Sequence, residues 1–230
     1  MSSNFSTMPA AQAPTDARAV FIRRTYGHLA GAILALIGVD ALLLQLPVAE
    51  TLIRTLTGGY AWLAVVVAFM FVSSLANRWA RSTTSRETQY AGLGLFIVAQ
   101  AVILLPILYI TRYYSAPSVI PTACLLTGAL FLGLTVIAFT SGSDFSMLRG
   151  AVTIGGFLAL GLIVASILFG INLGLWFAVA MVALAAGSIL VQTSGIIRDY
   201  GTDQYVAAAL GLFGSVAFLF FNILRLVSRR

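Results

Sequence analysis

Seven long apolar runs follow one another along the chain, separated by short polar connections. Each run has close to the roughly 20 residues that an α-helix needs to cross about 30 Å of hydrocarbon. A membrane β-barrel would show alternating segments of about ten residues instead, so the pattern predicts an all-α integral membrane protein with seven transmembrane helices. The predicted helices cover residues 26–46, 60–76, 90–110, 121–141, 151–169, 173–197 and 205–227.

The amino-terminal segment lacks this pattern. Residues 1–22 are rich in Ser, Ala and Pro and have neither apolar periodicity nor the early apolar core of a signal peptide. We expect residues 1–22 to form a disordered cytoplasmic tail and residues 23–230 to form the transmembrane domain. Such a tail suits recognition by a partner protein.

Composition narrows the class of protein. The chain has 230 residues, of which 60% are hydrophobic and 9% are charged, and a soluble protein could not carry so apolar a surface. All thirteen basic residues are Arg and stand at the ends of apolar runs, so nucleic acid is not an expected partner. With one cysteine, Cys124, and one histidine, His28, a metal site has no ligand set, and we expect neither a cofactor nor an enzymatic activity.

The distribution of Arg predicts the orientation. Most Arg residues in the connections fall on the side of the amino terminus, which the positive-inside rule assigns to the cytoplasm. Seven crossings then put the carboxyl terminus outside, although it carries Arg225, Arg229 and Arg230. Either the last helix crosses fully, the alternative we favour, or it is re-entrant.

Polar residues interrupt the last two apolar runs, which the turn at 198–203 joins. Gln192 and Ser194 lie in the first of these runs, and Ser215 and Asn222 lie in the second. A polar group in lipid is costly without a partner, so these side chains are expected to face the bundle interior or a cavity. This helix pair is therefore the first candidate for a functional centre.

Small residues spaced four apart occur in three places. The pairs are Gly27 with Gly31, Gly170 with Gly174, and Ala207 with Gly211. Because small residues let helix backbones approach closely, we interpret all three pairs as helix-packing positions.

Three segments carry a resemblance to a known family. The segment 127–150 reads TGALFLGLTVIAFTSGSDFSMLRG and includes the turn Asp144-Phe145-Ser146. The segments 23–27 (RRTYG) and 222–226 (NILRL) agree in order and spacing. Together they resemble the Bax inhibitor motif family, in its bacterial YccA-like branch. Physically, Asp144 or Ser143 would also suit the amino-terminal cap of the fifth transmembrane helix.

The resemblance implies a seven-helix fold with the last helix near the centre. It also implies a pH-sensitive calcium leak and suppression of cell-death or stress responses. The YccA-like branch further implies a bacterial inner membrane location and modulation of a membrane-anchored AAA protease. In the family, two Asp side chains on the sixth and seventh helices form a proton-dependent latch, since neighbouring carboxylates titrate as a coupled unit.

The sequence departs from the family at this latch. The latch positions fall on Gln192 and Ser215, and neither side chain ionises at an accessible pH. The two could still form a hydrogen bond between the helices. We therefore expect any ion leak to lack the family's pH response near neutrality.

Four further polar residues are candidates for a cavity or ion path: Asn222, Asp40, Asp199 and Asp203. Asp40 falls inside the first apolar run, where a charge is costly, and we predict a structural pair between Asp40 and Arg225, with ion conduction as the alternative. Asp199 could accept a cation at the cytoplasmic mouth, but with Arg198 adjacent and Asp203 nearby we favour a solvated polar turn.

Two functional hypotheses follow. The protein is either a leak pathway for Ca²⁺ or another cation, or a membrane regulator that binds a protease or a stress-response partner. The lipid bilayer is the one certain partner, and the sequence does not predict an oligomeric state.

Overall fold

The computed structural model describes residues 10–47, 49–58, 60–82, 85–141 and 145–228. Within these residues the chain forms eight α-helices, and seven of them are long and apolar enough to cross a membrane. A 3-10 turn at Ala10–Gln12 precedes the first helix. The helices are α1 (Thr15–Gln45), α2 (Ala49–Thr57), α3 (Ala61–Ala80), α4 (Arg86–Tyr114), α5 (Val119–Thr140), α6 (Met147–Phe169), α7 (Gly174–Asp199) and α8 (Tyr205–Val227).

The all-α membrane fold predicted from the sequence is confirmed, and α8 has the predicted bounds. The short helix α2 was not predicted, because its nine residues are too few to span a membrane. It is amphipathic: Ile53 is buried, whereas Glu50 and Arg54 form an exposed ion pair.

The prediction of a disordered segment over residues 1–22 is wrong for residues 10–22. Helix α1 begins at Thr15, directly after Pro14, with Asp16 in its first turn, where a negative charge favours a helix. Before it, the fully buried Ala10 donates its backbone N–H to the carbonyl oxygen of Tyr200, 2.9 Å away. Residues 1–9 lie outside the described residues.

Helix α8 lies at the centre of the bundle, as the family resemblance implies. It packs against α1, α3, α4, α5 and α7, and most of its residues are buried. The residues of α8 are apolar on nearly every side of the helix, which is typical of a helix enclosed by others. It is also uninterrupted for 23 residues, about 35 Å, and so is long enough to cross the hydrocarbon. This length favours full crossing over the re-entrant alternative.

The first, third and seventh spans run in the same direction. The ring of His28 in α1 lies 5.6 Å from that of Tyr90 in α4 and 4.9 Å from that of Tyr205 in α8, between ring centroids. These rings mark one level near the amino-terminal end of the bundle, and tyrosines are common at the level of lipid headgroups. Depth along α1, α4 and α8 can therefore be compared by counting residues from this level.

One sequence interpretation of local structure needs correction. Gly170 and Gly174 have φ values of 67° and 68°, so they form the tight connection between α6 and α7 and are not a packing pair. The N-cap position of α6 falls on Ser146, in the turn with Phe145, and no side-chain cap bond is formed by Ser146 there. Asp144 and Ser143 lie outside the described residues.

Candidate functional site

The centre of the site is a contact between α7 and α8. Gln192 donates a hydrogen bond from Nε2 to the Oγ of Ser215, at 2.6 Å. Ser215 is buried and stands ten residues into α8, about 15 Å from the start of that helix. The two positions that resemble the family's latch thus meet near the middle of the membrane, through a contact that carries no charge.

A polar cavity leads to this contact from the amino-terminal side of the bundle. Its volume is about 380 Å³, and it extends from the turn at Tyr200 to the side chain of Gln192. Cavities of about 300–1,000 Å³ are the usual size of ligand sites. Helices α3, α6, α7 and α8 all contribute to its wall, which includes Asn77, Arg81, Arg149, Gln192, Asp199 and Tyr200.

An ion pair stands in the mouth of the cavity. Arg149 at the start of α6 donates from Nη2 to Oδ2 of Asp199 at the end of α7. The side chains are 55% and 43% exposed, so the pair contributes about 1 kcal/mol or less to stability. Its larger effect is electrostatic, because the guanidinium neutralises the carboxylate that the sequence suggested as a cation acceptor.

A second arginine, Arg81, also lines the cavity. Arg81 donates from Nη2 to the hydroxyl of Tyr200 at 3.3 Å, and its guanidinium carbon lies 5.2 Å from the ring centroid. Burial raises the pKa of the Tyr200 phenol, and Arg81 lowers it by less. Tyr200 therefore stays neutral at physiological pH and accepts this hydrogen bond without adding a charge to the cavity.

Two glycines make room for these side chains. A Cβ atom at Gly211 would lie 2.7 Å from Oε1 of Gln192, and a Cβ atom at Gly195 would lie 2.8 Å from Oδ2 of Asp199. Either distance is shorter than van der Waals contact allows. Gly211, taken from the sequence as a helix-packing residue, thus lets the Gln192 amide reach Ser215.

The predicted pair between Asp40 and Arg225 is wrong. Asp40 is twelve residues after His28, whereas Arg225 is twenty residues after Tyr205, so Arg225 lies about 12 Å further along the parallel helices. The guanidinium of Arg225 lies over the ring of Phe177, 5.9 Å from its centroid. Asp40 is 6% exposed, and its Oδ1 has no hydrogen-bond partner among the described residues.

The other predicted site residues lie apart from the cavity. The Nδ2 of Asn222 donates to the carbonyl oxygen of Phe218 in the same helix, at 2.8 Å. Asp203 accepts a hydrogen bond from Arg86 through its backbone carbonyl oxygen, at 2.8 Å, and its buried Oδ1 has no partner in the described part of the chain. Among the proposed path residues, Asp199 alone lines the cavity with Gln192.

Most of the charged residues that line the cavity were not predicted from the sequence. Arg81 and Arg149 were noted for orientation only, and Tyr200 was assigned to a solvated turn. The contact between Arg149 and Asp199 joins residues 50 positions apart, and that between Arg81 and Tyr200 joins residues 119 apart. The sequence feature that could have indicated the cavity is a pair of glycines, Gly195 and Gly211, each within one helical turn of a polar residue.

Fold and site together define a class of protein. It is a polytopic membrane protein whose last helix is enclosed by the others and meets the preceding span through a polar contact in mid-membrane. A model of the family described as "Inhibitor of apoptosis-promoting Bax1" matches residues 18–230. The chain therefore belongs to the Bax inhibitor family.

Individual relatives agree with this assignment. The chain is 31% identical to an uncharacterized protein of Pseudomonas aeruginosa, over 89% of this chain and 87% of that one. It is 28% identical to protein LIFEGUARD 4 of Arabidopsis thaliana, over 89% of this chain and 82% of that one. An uncharacterized membrane protein of Vibrio cholerae is 33% identical over 50% of this chain and 54% of its own length.

Proposed function

We propose that this protein is a slow leak pathway for cations, with Ca²⁺ as the cation, and that the neutral contact between Gln192 and Ser215 closes the path. The observation that supports this most is the polar cavity, which reaches the contact from one side of the membrane. A water-accessible cavity that stops at one interhelical hydrogen bond needs only a small helix displacement to open. Such bonds contribute about 0.6 to 2 kcal/mol in membrane proteins.

The charges in the cavity make the proposed leak small. Arg81 and Arg149 both repel a cation, and the one carboxylate of the described wall, that of Asp199, is bound to Arg149. Because Gln192 and Ser215 do not titrate, the closed contact has the same strength at pH 6 and at pH 8. The proposal involves no catalytic step and no cofactor.

The proposed location is a bacterial inner membrane, with the amino terminus in the cytoplasm. Arg24 and Arg86 both lie over the ring of Tyr205, and Arg81 and Arg149 line the nearby cavity. This concentration of arginine at the amino-terminal end of the bundle supports the orientation, and the bacterial relatives support the membrane.

Calcium flux into liposomes that hold the purified protein tests the proposal. We expect flux above that of empty liposomes, with little change from about pH 6 to pH 8. Arg149→Gln should raise the flux several-fold, because it removes a repelling charge and frees Asp199, whereas Asp199→Asn should lower it. Arg78→Gln is the matched control, since Arg78 is exposed at the same end of the bundle and outside the cavity.

Two outcomes would contradict the proposal. Flux no greater than that of empty liposomes in every variant would exclude conduction. A steep pH response that disappears when Gln192 or Ser215 is replaced would show that a titrating group acts through this contact.

A second candidate is regulation of a membrane-anchored AAA protease or another stress-response partner. It is favoured by the docking of Ala10 on Tyr200, because this contact ties the amino-terminal segment to the rim of the cavity. A partner that binds the segment would therefore act directly on the site.

Deletions separate the two candidates. Removal of residues 2–9 leaves the Ala10 contact in place, whereas removal of residues 2–12 abolishes it. If only the longer deletion changes flux and neither changes co-purification with the protease, the leak is favoured. If either deletion abolishes co-purification while flux is unchanged, regulation is favoured.

A further inference from the structure

A groove separate from the polar cavity runs between α1 and α4 at the amino-terminal end of the bundle. Its volume is about 580 Å³, within the usual range for a bound ligand. Apolar and small residues form its floor, and Arg23 and Arg24 stand at its upper end. The inference drawn from it does not depend on the proposed leak.

The glycines of this groove pack against no other part of the chain that the structure describes. A Cβ atom at Gly27, Gly31 or Gly94 would meet nothing within 4 Å. Glycine in a helix costs about 1 kcal/mol relative to alanine, and in membrane helices it is usually offset by a helix packed against it. The interpretation of Gly27 and Gly31 as packing positions inside the bundle is therefore wrong, and the space that they leave is open to the lipid.

The charges at the upper end are not neutralised by the protein. Arg23 and Arg24 are exposed, and neither forms an ion pair with any described residue. The nearby His28 is already engaged: its Nδ1 lies 2.7 Å from the carbonyl oxygen of Arg24, and its Nε2 lies 3.0 Å from the hydroxyl of Tyr90. The guanidinium of Arg24 lies over the ring of Tyr205, a contact that leaves its positive charge in place. Two exposed guanidinium groups without a carboxylate partner among the described residues, above an apolar groove, suit a phosphate group attached to an acyl chain.

The depth of the groove fits the same ligand. Tyr90 and Tyr205 mark the headgroup level, with Arg23 and Arg24 beside them. From there the floor descends about 6 Å along α1 to Ala32 and about 10 Å along α4 to Ile97, into the hydrocarbon. A second copy of this chain fits less well, because a two-fold contact would bring four arginines together at one level.

We propose that this groove binds one anionic phospholipid from the leaflet on the amino-terminal side. Arg23 and Arg24 hold its phosphate, and one acyl chain lies over Gly27, Gly31 and Gly94. The ligand is part of the membrane, and the site would tie α1 to α4 beside the central helix.

Native mass spectrometry of the delipidated full-length protein in detergent tests this site. Phosphatidylglycerol and phosphatidylcholine with identical acyl chains are titrated separately, and we expect the anionic lipid to bind at least about tenfold more tightly. Arg23→Gln with Arg24→Gln should weaken phosphatidylglycerol binding roughly thirtyfold, since each arginine near an anionic surface contributes roughly a factor of five. Arg78→Gln with Arg112→Gln removes the same charge outside the groove and should leave binding unchanged.

A second pair of variants tests the apolar half of the site. Gly94→Leu should fill the groove and weaken binding while both arginines remain, whereas Gly133→Leu, at another open glycine, should not. Equal affinity for the two lipids, or unchanged binding after loss of both arginines, would overturn the proposal. Displacement of the lipid by glycerol phosphate alone would show a phosphate site without a lipid site. A dimer abolished by Gly94→Leu would show that a second copy fills the groove.

Discussion

Gly92→Ala is expected to lower the melting temperature of the detergent-solubilised protein by roughly 5–10 °C, for a loss of about 2–3 kcal/mol. A Cβ atom at this position in α4 would lie 2.7 Å from the carbonyl oxygen of Ala76, 2.8 Å from the backbone nitrogen of Ala80 and 2.9 Å from Cβ of Trp79. All three atoms belong to or adjoin the backbone of α3. They cannot rotate away as the end of a long side chain can, so the two helices must separate.

The displacement would reach the central helix. Phe96 lies one turn beyond Gly92, and its ring meets that of Phe213 in α8 edge-on, at 5.9 Å between centroids. A shift of α4 away from α3 therefore disturbs packing on two sides, which explains the large expected effect of one methyl group.

Gly94→Ala is the matched control. It adds the same methyl group two residues later in the same helix, where a Cβ atom meets nothing within 4 Å. Its melting temperature should equal that of the wild type or exceed it slightly, because alanine favours a helix over glycine. Equal melting temperatures for Gly92→Ala and the wild type would mean that α3 and α4 are less closely packed than described.

Hydrophobic runs predicted the spans well because every helix that crosses the lipid needs a long apolar stretch. The pattern predicted the bounds of α8, but it placed the start of α1 at Tyr26 instead of Thr15. The reason is that a helix can continue into the aqueous phase with residues such as Arg18 and Arg23, which an apolar pattern does not register. The nine-residue helix α2 was missed for the related reason that it lies outside any apolar run.

The site was only partly predictable. Gln192 and Ser215 could be found because a polar residue in an apolar run is conspicuous. The pairing of Asp40 with Arg225 was wrong because the two residues lie at different depths in the membrane. Their depths depend on how α1 and α8 are aligned, and the contact between the rings of His28 and Tyr205 shows this alignment. Contacts such as Arg149 with Asp199 depend on how separate helices meet, and no spacing within one helix encodes them.

Restoring both carboxyl groups, through Gln192→Asp together with Ser215→Asp, should convert the contact into a titrating one. The side chains of Gln192 and Ser215 now meet at 2.6 Å, between Nε2 and Oγ. Two carboxyl groups so close cannot both ionise without strong repulsion, so they share one proton at low pH and lose it at higher pH as a coupled unit. The double variant should be most stable while the proton is shared and should lose stability as pH rises.

Calcium flux and melting temperature, each measured from about pH 5 to pH 8, provide the test. In the wild type, flux and melting temperature should show no coincident transition, because neither Gln192 nor Ser215 changes charge. In the double variant the melting temperature should fall with rising pH, and flux should rise over the same interval, since repulsion separates α7 from α8 at the inner end of the cavity. The coincidence of the two transitions matters, because an unrelated titrating group would shift one without the other.

Two control variants complete this experiment. Gln192→Asp alone places one carboxyl beside the Ser215 hydroxyl, which can donate to it, so the repulsion and the coupled transition should be absent. Asp40→Asn in the double variant removes a buried carboxyl that lies outside the contact, and the transition should survive it. If the transition is instead lost with Asp40, or the double variant keeps a flat profile, then helices α7 and α8 are not held together at this contact, and the leak cannot be gated there.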